Sequence, residues 1–167
     1  MQELLLPLCV GLVFFAACSR MPEQEILSRA KTSRDEAKYT DALGYYRLYL
    51  DDYPTGKYRP DVLLKAAGLC GNEMREYQSS IALYKKFYNE YPSHPDAGKA
   101  LLLIGFMYSE QIKNLDSARY YYTSFIDKYP DNEVTPSIKI ELANLGKDPE
   151  KILEEKADSD GMAGTSK

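Results

Sequence analysis

The chain has 167 residues, of which 44% are hydrophobic, a formal net charge of −4 and no tryptophan. This length suits one domain with a sizeable core, and a mildly acidic balance without a basic block argues against a nucleic-acid partner. One histidine and three cysteines leave little for a metal centre or a disulfide framework.

Residues 4–17 form an apolar run of 14. It is short for a bilayer span and fits the core of a signal peptide. The run closes on Phe15-Ala16-Ala17-Cys18-Ser19, which resembles a bacterial lipobox, where two small residues precede a cysteine that is lipidated and becomes the new N-terminus. Phe15 stands where leucine is usual, and no Lys or Arg precedes the run. The expected division is a lipoprotein signal peptide over 1–17 and a lipidated linker over 18–21, with Cys18 carrying palmitate-type acyl chains. A plain signal peptide followed by an ordinary thiol, and an uncleaved anchor, are the alternatives. Three acyl chains, at about 0.8 kcal/mol per buried CH₂, would hold the protein on a membrane for its lifetime. Cys9 would leave with the signal. Cys70 would remain as a small core residue on an apolar helix face, with no partner for an intramolecular disulfide.

The first expected helix, about 22–37, offers Ile26 and Ala30 to a neighbour. From residue 39 a pattern sets in that ends at Tyr53-Pro54 and recurs at Tyr91-Pro92 and Tyr129-Pro130, each step 38 residues. Eleven residues before each Tyr stand Ala42, Ser80 and Ala118; seven before, Tyr46, Tyr84 and Tyr122; four before, Tyr49, Phe87 and Phe125. Steps of four, three and four put these residues on one side of an α-helix. Tyr45, Leu83 and Tyr121, with Leu50, Tyr88 and Ile126, widen the stripe, so each aromatic helix needs neighbours on more than one side. Proline pushes the preceding residue out of helical geometry and ends each helix.

Smaller-residue helices are expected between the aromatic ones. Residues 59–72 carry Ala66, Ala67 and Gly68; residues 95–109 carry Ala97, Ala100, Gly105 and Tyr108. Gly68 lies 12 before Ser80 and Gly105 lies 13 before Ala118, so the later helix is expected to have a last turn longer by one residue. After Pro130, Ile138, Ile140, Leu142, Ala143 and Leu145 suit another first helix, Gly146 ends it, and Pro149 opens a short final helix. The stretch 158–167 is small, polar and expected to be a disordered tail.

A fixed period of this size marks a stacked repeat array. On these residues the chain resembles the tetratricopeptide repeat family: small residues at Ala30, Gly68, Gly105, Ala42 and Ala118, aromatic residues at Tyr46, Tyr84 and Tyr122, and closing prolines at 54, 92 and 130. The family period is 34, so each unit here is about four residues longer; the early Trp is missing, and Ser80 replaces one Ala. The longer Tyr-Pro variant is similar to the repeats of BamD-type bacterial outer-membrane lipoproteins and related periplasmic repeat proteins. The resemblance covers 22–157 and implies an all-α fold, an α-solenoid of about three and a half antiparallel helix pairs. It also implies a bacterial outer-membrane location, lipid-anchored and facing the periplasm.

No catalytic constellation is legible, and the chain is expected not to be an enzyme, with no cofactor, metal or small-molecule substrate. His94 follows Tyr91-Pro92-Ser93 and is expected as a solvated loop residue. Acidic pairs such as Asp51-Asp52 diverge by about 100° on a helix and are expected to be solvated charges. Repeat arrays of paired helices mostly hold other proteins. If the first helices line a concave face, as in the resembled family, the groove would include Lys31, Arg34, Lys65, Leu69, Asn72, Lys99, Leu102 and Phe106. This mix of cations and apolar groups suits an extended or helical partner segment with some negative charge; core closure by Leu69, Leu102 and Phe106 is the alternative. The expected function is a membrane-anchored adaptor or scaffold for an envelope protein, such as in outer-membrane protein assembly. The alternative is a self-associating homo-oligomeric module.

Overall fold

Among the described residues seven α-helices follow one another in chain order, each packed against the next. They are α1 (Glu23–Asp35), α2 (Tyr39–Asp52), α3 (Arg59–Gly68), α4 (Tyr77–Glu90), α5 (Ala97–Phe106), α6 (Leu115–Lys128) and α7 (Thr135–Asn144). The computed structural model describes residues 20–148 and 150–151. The expected signal peptide, Cys18, the 158–167 tail and most of the helix expected after Pro149 therefore lie outside the described residues. Pairs α1/α2, α3/α4 and α5/α6, followed by α7, form the all-α solenoid of three and a half hairpins that the period implies.

The 38-residue frame holds at every joint. Helices α3, α5 and α7 begin at residues 59, 97 and 135; α2, α4 and α6 begin at 39, 77 and 115. Between them the backbone N–H groups of Gly56, His94 and Asn132 donate to the carbonyls of Tyr53, Tyr91 and Tyr129, at 3.1, 3.1 and 3.2 Å. The corner after each Tyr-Pro is thus one repeated turn. Its Tyr ring packs back on the ring four residues before it, at centroid distances of 5.3 Å (Tyr49–Tyr53), 5.9 Å (Phe87–Tyr91) and 5.4 Å (Phe125–Tyr129). His94 is a working part of this corner rather than a solvated side chain. Its Nδ1 accepts from the Asp96 N–H at 3.1 Å, as Asn132 Oδ1 does from Val134, and its ring meets Phe87 edge-on at 5.1 Å.

The opposite joint turns on a left-handed residue. Ala37, Arg75 and Lys113 have φ of 56°, 56° and 58° and again lie 38 apart. Before the latter two, the helix loosens into a π-helical turn, Leu69–Glu73 and Met107–Ile112. The two turns start 38 residues apart, so the extra residue expected from the spacing of Gly105 is not inserted. The left-handed residue keeps the same register. Gly105 therefore holds the frame position of Ala67, and Phe106 that of Gly68.

The core is the aromatic stripe. Tyr46, Tyr84 and Tyr122 are 3%, 8% and 2% exposed, and Tyr49, Phe87 and Phe125 no more than 1%. Removing each such ring from water contributes about 1.5–3 kcal/mol. The small residues opposite admit them: a Cβ on Gly105 would lie 2.7 Å from two carbons of the Tyr122 ring. Ser80, the polar member of the small set, is fully buried and donates to the Ala67 carbonyl at 2.7 Å. Cys70 is buried and free, and burial pushes its thiol pKa up. At the N-terminus the chain is strapped to the first corner. Tyr53 Oη donates to the Met21 carbonyl at 2.7 Å, the Arg20 guanidinium lies 5.2 Å from the Tyr53 ring centroid, and Tyr49 Oη donates to Glu23 at 2.8 Å.

Candidate protein-binding groove

Helices α1, α3, α5 and α7 alternate with the aromatic helices, and their outer sides line a run of three clefts. The α1–α3 cleft, about 460 Å³, is lined by Gln24, Ser28, Lys31 and Arg34 of α1, by Tyr58, Asp61 and Lys65 at and in α3, and by Tyr46 beneath. Lys31 donates to Asp35 at 2.6 Å and Arg34 lies 3.6 Å from the same carboxylate. The hydrogen bond from Lys31 holds the Asp35 carboxyl below its ordinary pKa. Three cations against Asp61 and Asp35 leave this end of the groove net positive.

A smaller cleft of about 180 Å³ follows between α3 and α5, walled by Asn72, Tyr77, Tyr84, Leu103, Phe106 and Gln111. The α5–α7 cleft, about 730 Å³, is apolar at its centre, with Leu102, Leu103, Phe106 and Ile138, and acidic at its rim, with Glu110 and Glu141. Phe106 lines both of the last two and is 49% exposed. Beneath it burial, with the Glu141 charge adding to it, pushes the Tyr122 phenol up to about 12. The bottom of the cleft is a neutral, protonated hydroxyl at any physiological pH.

Of the eight sequence-derived groove residues, Lys31, Arg34 and Lys65 meet in the first cleft, Asn72 and Phe106 in the second, and Leu102 and Phe106 in the third. Leu69 does not belong with them. It is 4% exposed, as its frame counterpart Met107 is 6%, because both start a π-helical turn whose apolar side chains pack into the seam between hairpins. Lys99 is exposed and takes on α5 the frame position that Asp61 has on α3, but it lines none of the three clefts. Sequence reasoning missed Glu110, Glu141 and Ile138. Ile138 is expected from the sequence only as an apolar residue of another first helix; the acids carry no periodic signal, and only the packing of α7 beside α5 brings them together.

A right-ordered stack of aromatic hairpins with a continuous open face defines a tetratricopeptide-type repeat scaffold. More narrowly, the chain belongs to the family described as outer membrane lipoprotein, YfiO, whose model matches residues 19–148. That is the BamD-like family the repeats resemble. A search of curated proteins returned no match.

Proposed function

We propose that the chain is a lipid-anchored adaptor of the bacterial outer membrane, facing the periplasm. On this reading Cys18 carries the anchor, and the concave groove receives a segment of an envelope protein during outer-membrane protein assembly. The observation that carries the reading is Phe106: a half-exposed aromatic ring between two clefts, at the frame position where the preceding unit has Gly68. A buried aromatic anchor flanked by charge is the usual energetic centre of a protein interface. The gradient along the groove, from Lys31, Arg34 and Lys65 to Leu102, Phe106 and Ile138, fits a segment with an acidic end and an apolar end. Because Arg20 and Met21 are held against the Tyr53 corner, an acylated Cys18 would leave a tether only a few residues long, keeping the first cleft close to the membrane surface.

Affinity purification of the lipidated protein from membranes tests this. A stoichiometric envelope partner is expected, with Phe106→Ala weakening it about 30-fold, a loss of about 2 kcal/mol, and Lys65→Glu weakening it as well. Recovery of no partner, or a partner indifferent to both changes, overturns it. A second reading rests on α7, which buries only Thr135 and leaves Ile140 64% exposed. Such a helix, the last of the seven described, suits packing against another copy. Light scattering separates the two: a monomer down to low micromolar excludes stable self-assembly.

A further inference from the structure

The opposite face of the solenoid carries a cleft of a different kind. Between α4 and α6, over the buried Leu101 and Ile104, a groove of about 140 Å³ is lined by Lys85, Tyr88, Tyr120, Tyr121 and Lys128, with Asn89 and Ser124 between them. Its two cations are held by phenol rings alone. Lys85 Nζ lies 5.1 Å from the Tyr108 centroid and 5.3 Å from that of Tyr121, and donates to Tyr108 Oη at 2.9 Å. Lys128 Nζ lies 4.8 Å from the Tyr88 centroid and donates to Tyr88 Oη. No carboxylate lines the cleft, and neither lysine forms an ion pair among the described residues. Seven other cations, Arg20, Arg29, Lys31, Arg34, Lys38, Arg59 and Lys113, each pair with an acid, which these two do not. Nor is the feature part of the repeat: Arg47 and Leu50 hold the frame positions of Lys85 and Tyr88.

We infer that this cleft is a second docking site, for an acidic peptide segment of a partner protein. Ring faces fix the ammonium groups without neutralising them, since a quadrupole attracts a cation but carries no charge to cancel it. Two positioned cations over an apolar floor then call for a carboxylate next to an apolar or aromatic side chain. A glycan would need several open rings to stack on, whereas Lys85 and Lys128 engage Tyr108, Tyr121 and Tyr88 and leave Tyr120 as the one ring lining the cleft without a cation on it. Tyr120, 65% exposed and edge-on to Tyr121 at 5.1 Å, stands at the mouth, where an incoming apolar side chain meets it first. The site is independent of the concave groove and shares no residue with it.

The test is selection of a displayed random heptapeptide library on the purified full-length chain in detergent. Recovered peptides are expected to be enriched about tenfold in Asp or Glu beside Leu, Phe or Tyr. Because the concave groove also accepts acidic segments, the two sites are separated on the Lys31→Glu/Lys65→Glu background: the enrichment persists there and disappears when Lys85→Gln/Lys128→Gln is added. Lys128→Gln alone, at an exposed position, halves the enrichment or more without touching the fold, as circular dichroism verifies. Absence of acidic enrichment, or enrichment untouched by the double Gln variant, overturns the proposal. So does a Lys85- and Lys128-dependent preference for acidic oligogalacturonate over the peptides, which would make the site one for an anionic glycan.

Discussion

Gly68 and Gly105 both lie in first helices, yet alanine should act on them with opposite sign. In either helix alanine gains about 0.8–1 kcal/mol over glycine from the smaller backbone entropy loss. At Gly68 the added methyl meets Tyr84 Oη at 3.7 Å and Asn72 Nδ2 at 3.9 Å, ordinary contacts that leave the gain intact. At Gly105 it meets Cδ1 and Cε1 of Tyr122 at 2.7 Å and Tyr121 Cβ at 3.4 Å. Carbon atoms rest about 3.5–4.0 Å apart, so the Tyr122 ring, 2% exposed and packed in the core, must retreat by most of an ångström. Overpacking of this kind costs about 1–3 kcal/mol, which exceeds the backbone gain. Urea unfolding followed by helical circular dichroism reads both effects. Gly68→Ala should raise the midpoint by the equivalent of about 0.5–1 kcal/mol, and Gly105→Ala should lower it by about 1–2 kcal/mol, at unchanged slope. If Gly105→Ala stabilises as much as Gly68→Ala, the close approach of α5 to the Tyr122 ring is refuted.

Three further outcomes follow from the joints and the core. Replacing Arg75 or Lys113 by glycine should stabilise the chain, each by up to about 1 kcal/mol, because a left-handed non-glycine residue is strained; destabilisation in thermal melts would show that these side chains matter more than their backbone. Burial raises the phenol pKa of Tyr46 and Tyr84, and takes Tyr49 and Tyr122 to about 12, so the unfolded chain ionises first. Their contribution is complete below pH about 10 and is lost as pH rises towards 12; a difference-absorbance titration in which every tyrosine ionises near 10 while the helices persist would contradict this. Arg59, 6% exposed, donates Nη1 to the Leu50 carbonyl at 2.7 Å and Nε to Glu90 at 2.9 Å, joining two hairpins. Arg59→Leu should therefore cost about 1.5–3 kcal/mol in denaturant midpoint, and a change under about 0.5 kcal/mol, ordinary for a surface site, would make the bridge ornamental.

Much of this architecture was written in the spacing. The Tyr-Pro period gave the number of hairpins, the aromatic stripe and the helix ends, because proline and helical periodicity are local signals. What escaped was non-local. The π-helical turns at Leu69–Glu73 and Met107–Ile112 leave no mark in composition, and with them Leu69 turns inward; Gly105 aligns with Ala67 rather than with Gly68 because the 38-residue step is unbroken there. His94 looked solvated because its partners, the Asp96 N–H and the Phe87 ring, are set by the folded corner. For the groove, the positions on α1, α3 and α5 were legible from helix order, whereas Glu110, Glu141 and Ile138 became its third cleft only through the packing of α7.

The central claim is that the concave face, and Phe106 above all, receives a partner. In-cell photocrosslinking with a benzophenone amino acid tests it most directly, with the probe placed in turn at positions 102 and 106 on the groove and at 47 and 51 on the exposed side of α2. The account predicts one discrete envelope-protein adduct from 102 and 106, none from 47 and 51, and loss of that adduct when Lys65→Glu is added. The same adduct from both faces, or none from the groove, would contradict it.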